Sequence, residues 1–237
     1  MPTGGKGTEA LPFPASPREM VGLSSVHVRV RNLRRIVAFG LLAAGVLLVA
    51  EAAVTVVWKE PFTALSAHRA QKKLGAQLDR IGFAAPARPD RLPAFAHRLE
   101  RRSQEGDPLG RIVIPRIDAR YVVVSGTQAA DLRKGPGHYD DTALPGERGT
   151  VGIAGHRTTY LAPFRNIDDL DRGDLVELRM PYGTFSYAVA GTQIVSPRDV
   201  SVLRHRSGDW LVLTACHPLY SAAKRIVVSA RLTRAPS

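Results

Sequence analysis

From Asp107 onward the chain is punctuated by short β-prone runs, and this recurrence is what most limits the folds open to it. The runs are Arg111–Ile114, Tyr121–Val124, Thr150–Ala154, Asp174–Leu178, Thr184–Thr192, Trp210–Ala215 and Arg225–Leu232. Turns containing Pro or Gly separate them, among them Lys134-Gly-Pro-Gly, Leu144-Pro-Gly-Glu and Pro181-Tyr-Gly. Seven or eight short strands over about 130 residues, with one weak candidate helix, predict an all-β domain closed or nearly closed into a barrel. No repeat of about 20–50 residues is visible, which sets aside solenoids and propellers.

The preceding residues have a different texture. Ile36–Trp58 reads IVAFGLLAAGVLLVAEAAVTVVW, with Glu51 its one charge. As a helix this run extends roughly 35 Å, enough for a hydrocarbon core of about 30 Å. Arg29, Arg31, Arg34 and Arg35 stand just before it. Such a cluster stays on the cytoplasmic side, so residues 36–58 are expected to be a single-pass type II anchor with everything after Trp58 outside the cell membrane. Ala50-Glu51-Ala52 resembles a cleavage site, so a cleaved signal peptide competes, but the span is long for a signal h-region. Residues 1–35, rich in Gly, Pro and Ser over their first 28, are expected to form a disordered cytoplasmic tail.

Residues 59–106 are expected to be a helical stalk followed by a Pro-containing linker. Leu65, Leu74, Leu78 and Ile81 recur at helical spacing between Phe62 and Ile81, which fits a stalk or a brace on the domain's back, and a solvated spacer is preferred to a binding element. Pro86, Pro89 and Pro93 then break regular structure. The chain carries a net charge of +12. Its arginines are scattered, with neither an aromatic-interleaved stripe nor zinc-finger spacing, so an anionic membrane or cell wall is the expected partner and nucleic acid is not.

Cys216 is the only cysteine, at the end of the run Leu211-Val-Leu-Thr-Ala-Cys216 and followed by His217-Pro218. A lone thiol makes no intrachain disulfide and is too little for a cysteine-rich metal site, which leaves core packing or chemistry. A catalytic thiol needs a base or cation nearby. His217 is adjacent but points to the opposite face of an extended strand. His27 lies in the tail, and His68 and His97 in the stalk and linker, leaving His138, His156 and His205. His156 stands out, because a β-run delivers it to a strand end and Gly155 before it permits close backbone approach. If Leu211–Cys216 and Arg225–Leu232 form a hairpin, Arg225 faces Cys216 at about 5 Å and can stabilise an oxyanion or hold a carbonyl. Lys224, Arg231 and Arg234 are read as surface charges. Asp168, Asp169, Asp171 and Asp174 are read as a turn surface in preference to a calcium site, and no metal or cofactor is expected.

At these residues the chain resembles the sortases, membrane-anchored cysteine transpeptidases of Gram-positive bacteria. The resemblance is carried by Ala154-Gly-His-Arg-Thr-Thr-Tyr160, by Leu211-Val-Leu-Thr-Ala-Cys-His-Pro218 and by Arg225 nine residues past the cysteine. His-Pro after the cysteine, Ser221-Ala222, and the stretch from Gly135-Pro-Gly-His-Tyr139 to Ala143-Leu-Pro-Gly-Glu147 are most similar to the class E sortases of actinobacteria. The resemblance implies an eight-stranded barrel with short helices over residues 107–237, and a His156, Cys216, Arg225 active site. It also implies cleavage of a C-terminal sorting signal, Leu-Ala-x-Thr-Gly or Leu-Pro-x-Thr-Gly, between Thr and Gly. Cys216 would form the thioacyl intermediate, with His156 as general acid and then base. The implied partners are surface proteins bearing that signal and an amine of lipid II or a peptidoglycan stem peptide; in pilus assembly the amine is a lysine. The family usually reads Thr-Leu-x-Thr-Cys, whereas Val212 and Ala215 replace both threonines here. Ala215 lacks a hydroxyl beside the nucleophile, which is expected to alter substrate contacts. Two other classes compete: a non-catalytic barrel that binds cell-wall peptides, and a thiol hydrolase or cysteine L,D-transpeptidase. The last should carry a His-Gly pair shortly before its cysteine, and none is present.

Overall fold

The computed structural model describes residues 37–50, 61–82 and 88–236. Two compact units divide the chain, Met1–Val57 and Trp58–Ser237. In the first, residues 37–50 are helical (α1), and large apolar side chains along them, including Phe39, Leu41, Leu47 and Val49, are exposed. No helix among the described residues is long and apolar enough to cross a membrane. The expected tail 1–35 lies outside the described residues, as do Ile36 and residues 51–58 of the expected anchor.

The second unit contains a closed barrel of eight strands. They are β1 (Pro108–Ile114), β2 (Ala119–Ser125), β3 (Gly137–His138), β4 (Gly149–Ala154), β5 (Leu175–Met180), β6 (Gly183–Val195), β7 (Asp209–His217) and β8 (Lys224–Arg234). Their order around the barrel is β1-β2-β3-β4-β7-β8-β6-β5, and β5 pairs back onto β1 to close it. Seven strands match the runs read from the sequence. β3 is the exception, since two residues carry no periodicity. It exists because Gly137 and His138 are gripped on both sides, by β2 in parallel and by β4 in antiparallel pairing.

Period-two alternation sorts the side chains. Val151 and Ile153 of β4, Phe185, Tyr187 and Val189 of β6, Leu211, Leu213 and Ala215 of β7, and Ile226, Val228 and Ala230 of β8 share one buried cluster inside the barrel. Each large apolar side chain buried there contributes roughly 1.5–3 kcal/mol. Apolar residues on the outer face are covered locally. Val212 and Val227 pack under Val202 of the 3-10 turn Val200–Leu203. Val122 and Val124 of β2 pack under Leu74 and Leu78 of helix α2 (Pro61–Ile81).

Helix α2 thus braces the barrel, the second of the two roles its spacing allowed, and does not stand clear as a solvated spacer. Its Gln71 carboxamide accepts the Val122 N–H at 2.7 Å and donates to the carbonyls of Val122 at 3.0 Å and Lys134 at 2.8 Å. The stretch expected as linker holds another helix, α3 (Leu92–Arg102), which buries Leu92 and Ala96. Pro93 stands in its first turn, where a missing N–H costs nothing, so a residue that reads as a breaker starts the helix.

Candidate active site

Strands β4, β7 and β8 bring the singled-out residues to one end of the barrel. β4 and β7 are parallel, in a register that runs from Gly149 opposite Asp209 to Ala154 opposite Thr214. The Gly155 N–H extends the ladder by donating to the Thr214 carbonyl at 3.0 Å. His156 follows directly after Gly155, and Cys216 lies two residues past Thr214, so both stand just beyond the same end of this ladder. β7 and β8 form the hairpin expected from the sequence, with Cys216 directly opposite Arg225.

Alternation decides what adjoins the thiol. Leu213 and Ala215 belong to the interior cluster, so Thr214 and Cys216 project from the outer wall, Cys216 only part-buried. Ala215 is 3% exposed and faces inward beside Ile226. The missing hydroxyl is therefore not on the thiol's side of the sheet, contrary to the expectation that it alters contacts there. Thr214 shares that side, and its hydroxyl lies 2.9 Å from that of Tyr139. Arg225 sits at the rim, where its guanidinium donates to the carbonyls of Ala222 and Lys224, both at 3.1 Å.

His156 is held by a crowded loop. A Cβ at Gly155 would stand 2.4 Å from a ring carbon of Phe164, so only glycine fits against that fully buried ring. The Phe164 N–H in turn donates to the His156 carbonyl at 3.0 Å. The imidazole packs on the Tyr160 ring, centroids 5.2 Å apart. Tyr160, Leu161 and Ala162 all have left-handed φ, at 49°, 68° and 43°. Three such non-glycine residues in succession store about 1–3 kcal/mol each, and they do so four to six residues after His156. Burial, and then the Arg133 guanidinium, push the His156 pKa below its ordinary value. The imidazole is thus neutral at neutral pH and able to accept a proton.

The other histidines lie elsewhere. His138 pairs with Ile153 and is buried, its Nε2 3.0 Å from the Ala143 carbonyl. Burial lowers its pKa as well. The His205 ring packs against Gly149, at the opposite end of β4 from Ala154. His217 engages Arg157. Sequence reasoning missed Arg133, Tyr139 and Arg157; only the position of Arg157 directly after His156 was a signal. Asp168, read as turn surface, is the carboxylate partner of Arg157.

Among the described residues, His97, Glu100 and Glu147 bring ligand-type atoms within 4.8 Å of one another. His97 Nδ1 lies 2.8 Å from Glu147 Oε1, and His97 and Glu100 are exposed, an arrangement that a surface contact between the two side chains explains. A cavity of about 710 Å³ lies between α2, α3 and the β5–β6 turn, lined by Arg80, Phe95, Leu99 and Tyr182; it touches neither Cys216 nor His156.

The sortase domain model matches residues 112–233, just over half of the chain. Sortase D of Bacillus subtilis (strain 168) is 38% identical over 130 residues, which cover 53% of this chain and 64% of that protein. The chain thus spans less than two thirds of this relative. A Clostridium perfringens sortase D5 transpeptidase shares the fold with TM-score 0.58 and 26% identity, over 70% of this chain and 99% of that one. Sortase E from Streptomyces avermitilis does so with TM-score 0.51 and 34% identity, over 55% and 91%. The barrel, its strand order and these likenesses agree: the chain belongs to the sortase family, whose members are cysteine transpeptidases.

Proposed function

We propose that this protein is a membrane-anchored cysteine transpeptidase that cuts a C-terminal sorting signal and joins the upstream protein to an amine. The β4–β7 pairing supports this reading most, because it ends at Gly155 and Thr214, just before His156 and Cys216, and Arg225 lies opposite Cys216 on β8. Cys216 is the nucleophile. Its thiol passes its proton to neutral His156, and the sulfur attacks the Thr carbonyl of a Leu-Ala-x-Thr-Gly or Leu-Pro-x-Thr-Gly signal, while the tetrahedral oxyanion or the substrate carbonyl takes hydrogen bonds from Arg225. Collapse of the intermediate breaks the Thr–Gly bond, and the glycine amine leaves with a proton from imidazolium His156. An incoming amine then loses its proton to neutral His156, attacks the thioester and expels the Cys216 thiolate, to which His156 returns the proton. The incoming amine is that of lipid II or a peptidoglycan stem peptide.

The second signal position is assigned to Ala, as in class E enzymes, on the strength of His217-Pro218, Ser221-Ala222 and Gly135-Pro-Gly-His-Tyr139. Membrane anchoring rests on the apolar run 36–58, on the arginines before it, and on the exposed apolar side chains of α1. Residues 107–237 are then the extracytoplasmic catalytic domain, and 59–106 the segment that joins it to the anchor.

Mass spectrometry of full-length protein in detergent, offered paired peptides with Ala or Pro at the second position and a stem-peptide amine, tests the reading. The expected product is the Thr-amide of the added amine, formed faster from the Ala peptide and abolished in Cys216→Ala. Cleavage that persists in Cys216→Ala overturns the nucleophile. Hydrolysed product alone, with the amine present, overturns transpeptidation, and a preference for lysine peptides over the stem peptide points to pilus assembly.

A further inference from the structure

Arg157 is buried to an extent that its neighbours do not demand. Its side chain is 1% exposed, and its one carboxylate partner, Asp168, is 47% exposed. Burying a guanidinium costs several kcal/mol before pairing, and an apolar side chain would fill the same volume without that cost. The fork is used in three directions. Nε and Nη2 donate to the Arg165 carbonyl at 3.2 and 3.1 Å, Nη2 also donates to Asp168 Oδ1 at 2.5 Å, and Nη1 lies 3.3 Å from His217 Nδ1.

These contacts join two pieces of chain just beyond the end of the β4–β7 pairing. Arg157 directly follows His156, and Arg165 and Asp168 lie farther along the same β4–β5 loop. His217 is the last residue of β7 and directly follows Cys216. The β4–β7 ladder ends at Gly155 and Thr214, so past that point no backbone pairing of these two strands joins one end to the other. An arginine only donates, so its contact with His217 requires Nδ1 as acceptor and places the ring proton on Nε2. Arg165 adds a second tie between the same loops, donating to the Tyr220 hydroxyl at 3.2 Å.

We infer that Arg157 is a positioning residue for acyl transfer: its buried guanidinium clamps the segment bearing His156 to the strand end bearing Cys216. The inference rests on Cys216 and His156 being the reacting pair. No part of it needs Arg157 to touch substrate. A lysine would keep the charge beside Asp168 but lacks the planar fork that reaches Arg165 and His217 together.

The test uses full-length Arg157→Lys, Arg157→Met, His217→Asn and His217→Leu, with three measurements. These are the thermal midpoint, kcat and KM for signal-peptide cleavage, and the rate of Cys216 alkylation by iodoacetamide at neutral pH, which needs no peptide. Arg157→Met is expected to lower kcat by about 10- to 100-fold with KM changed less than about threefold, since misplacement of reacting groups by an ångström costs on that order. Arg157→Lys should recover the thermal midpoint but not kcat. His217→Asn keeps an acceptor near the Nδ1 position and should retain kcat within about threefold, whereas His217→Leu should lose about tenfold at similar stability. Alkylation should slow in Arg157→Met, Arg157→Lys and His217→Leu and stay near the parent rate in His217→Asn. A folded Arg157→Met with unchanged kcat and alkylation reduces Arg157 to a structural tie, and equal kcat in the two His217 variants removes the clamp. If Arg157→Met does not fold, Arg157→Lys and the His217 pair decide. Cleavage that survives in Cys216→Ala sinks the reacting pair instead, a separate outcome.

Discussion

Gly155→Ala is the smallest change that should disturb both the barrel and the site. The added methyl would stand 2.4, 2.7 and 2.9 Å from three ring carbons of Phe164. Carbon atoms rest at about 3.5–4.0 Å, so the ring must retreat by roughly 1 Å or the end of β4 must lift. Phe164 is fully buried in the main cluster and has no free volume to enter. Overpacking of this kind costs about 1–3 kcal/mol, which for a domain of this size lowers the thermal midpoint by roughly 2–12 °C. The same retreat pulls on His156, whose carbonyl accepts the Phe164 N–H. A displacement near 1 Å at the proton-transfer group is worth up to ~100-fold in kcat. Circular dichroism melts and peptide-cleavage kinetics on the same preparations give both numbers. Phe164→Leu in the Gly155→Ala background makes room for the methyl and should restore part of both, with a favourable coupling above about 0.5 kcal/mol. A Gly155→Ala protein that melts within about 1 °C of the parent and keeps kcat within about twofold would refute the argument, as would a double variant whose losses simply add.

Gln71→Leu removes three hydrogen bonds between α2 and the barrel and strands the Val122 N–H, so a loss of about 3 kcal/mol, or ~6–12 °C, is expected with kcat at low temperature retained; an unchanged melt means that α2 does not brace the barrel. His138 and His156 both have pKa values depressed by burial, so the unfolded chain takes up protons that the native one refuses. Stability should therefore fall as pH drops through about 6.5, at up to ~1.4 kcal/mol per pH unit for each histidine, and level off below the native pKa values. Denaturant titrations at stepped pH read this slope, which should flatten in His138→Gln; a stability flat from about pH 7.5 to 5 contradicts it. Arg225→Lys should lower kcat by about 10²-fold or more with thermal stability retained, because a point charge replaces a fork at the developing oxyanion; steady-state kinetics at saturating peptide check it. A membrane-impermeant maleimide should label the single thiol, Cys216, in intact cells, and labelling only after lysis would reverse the proposed topology.

Much of the barrel was legible because strand formation in a closed sheet depends on local alternation. Seven strands announced themselves through apolar runs between turn residues, and the β7–β8 hairpin put Arg225 opposite Cys216 by counting across one loop. β3 was not legible, since two residues have no period and acquire strand geometry only from neighbours on both sides. The prolines of the 86–93 stretch read as breakers, yet Pro93 opens α3, because a proline's effect depends on whether it falls inside a helix or at its first turn.

The sequence by itself singled out the candidate site residues and the face each strand shows to the core. One thiol, a glycine-led histidine at a strand end and an arginine across a hairpin are local facts, and local chemistry selects them. Only the tertiary structure decided that β4 lies beside β7, because these parallel neighbours are separated by more than fifty residues of chain and no short-range pattern encodes that register. It also decided that Ala215 faces the core and that Arg157 spans two loops. Side-chain direction and burial come from how the barrel closes, and closure is a property of all eight strands together.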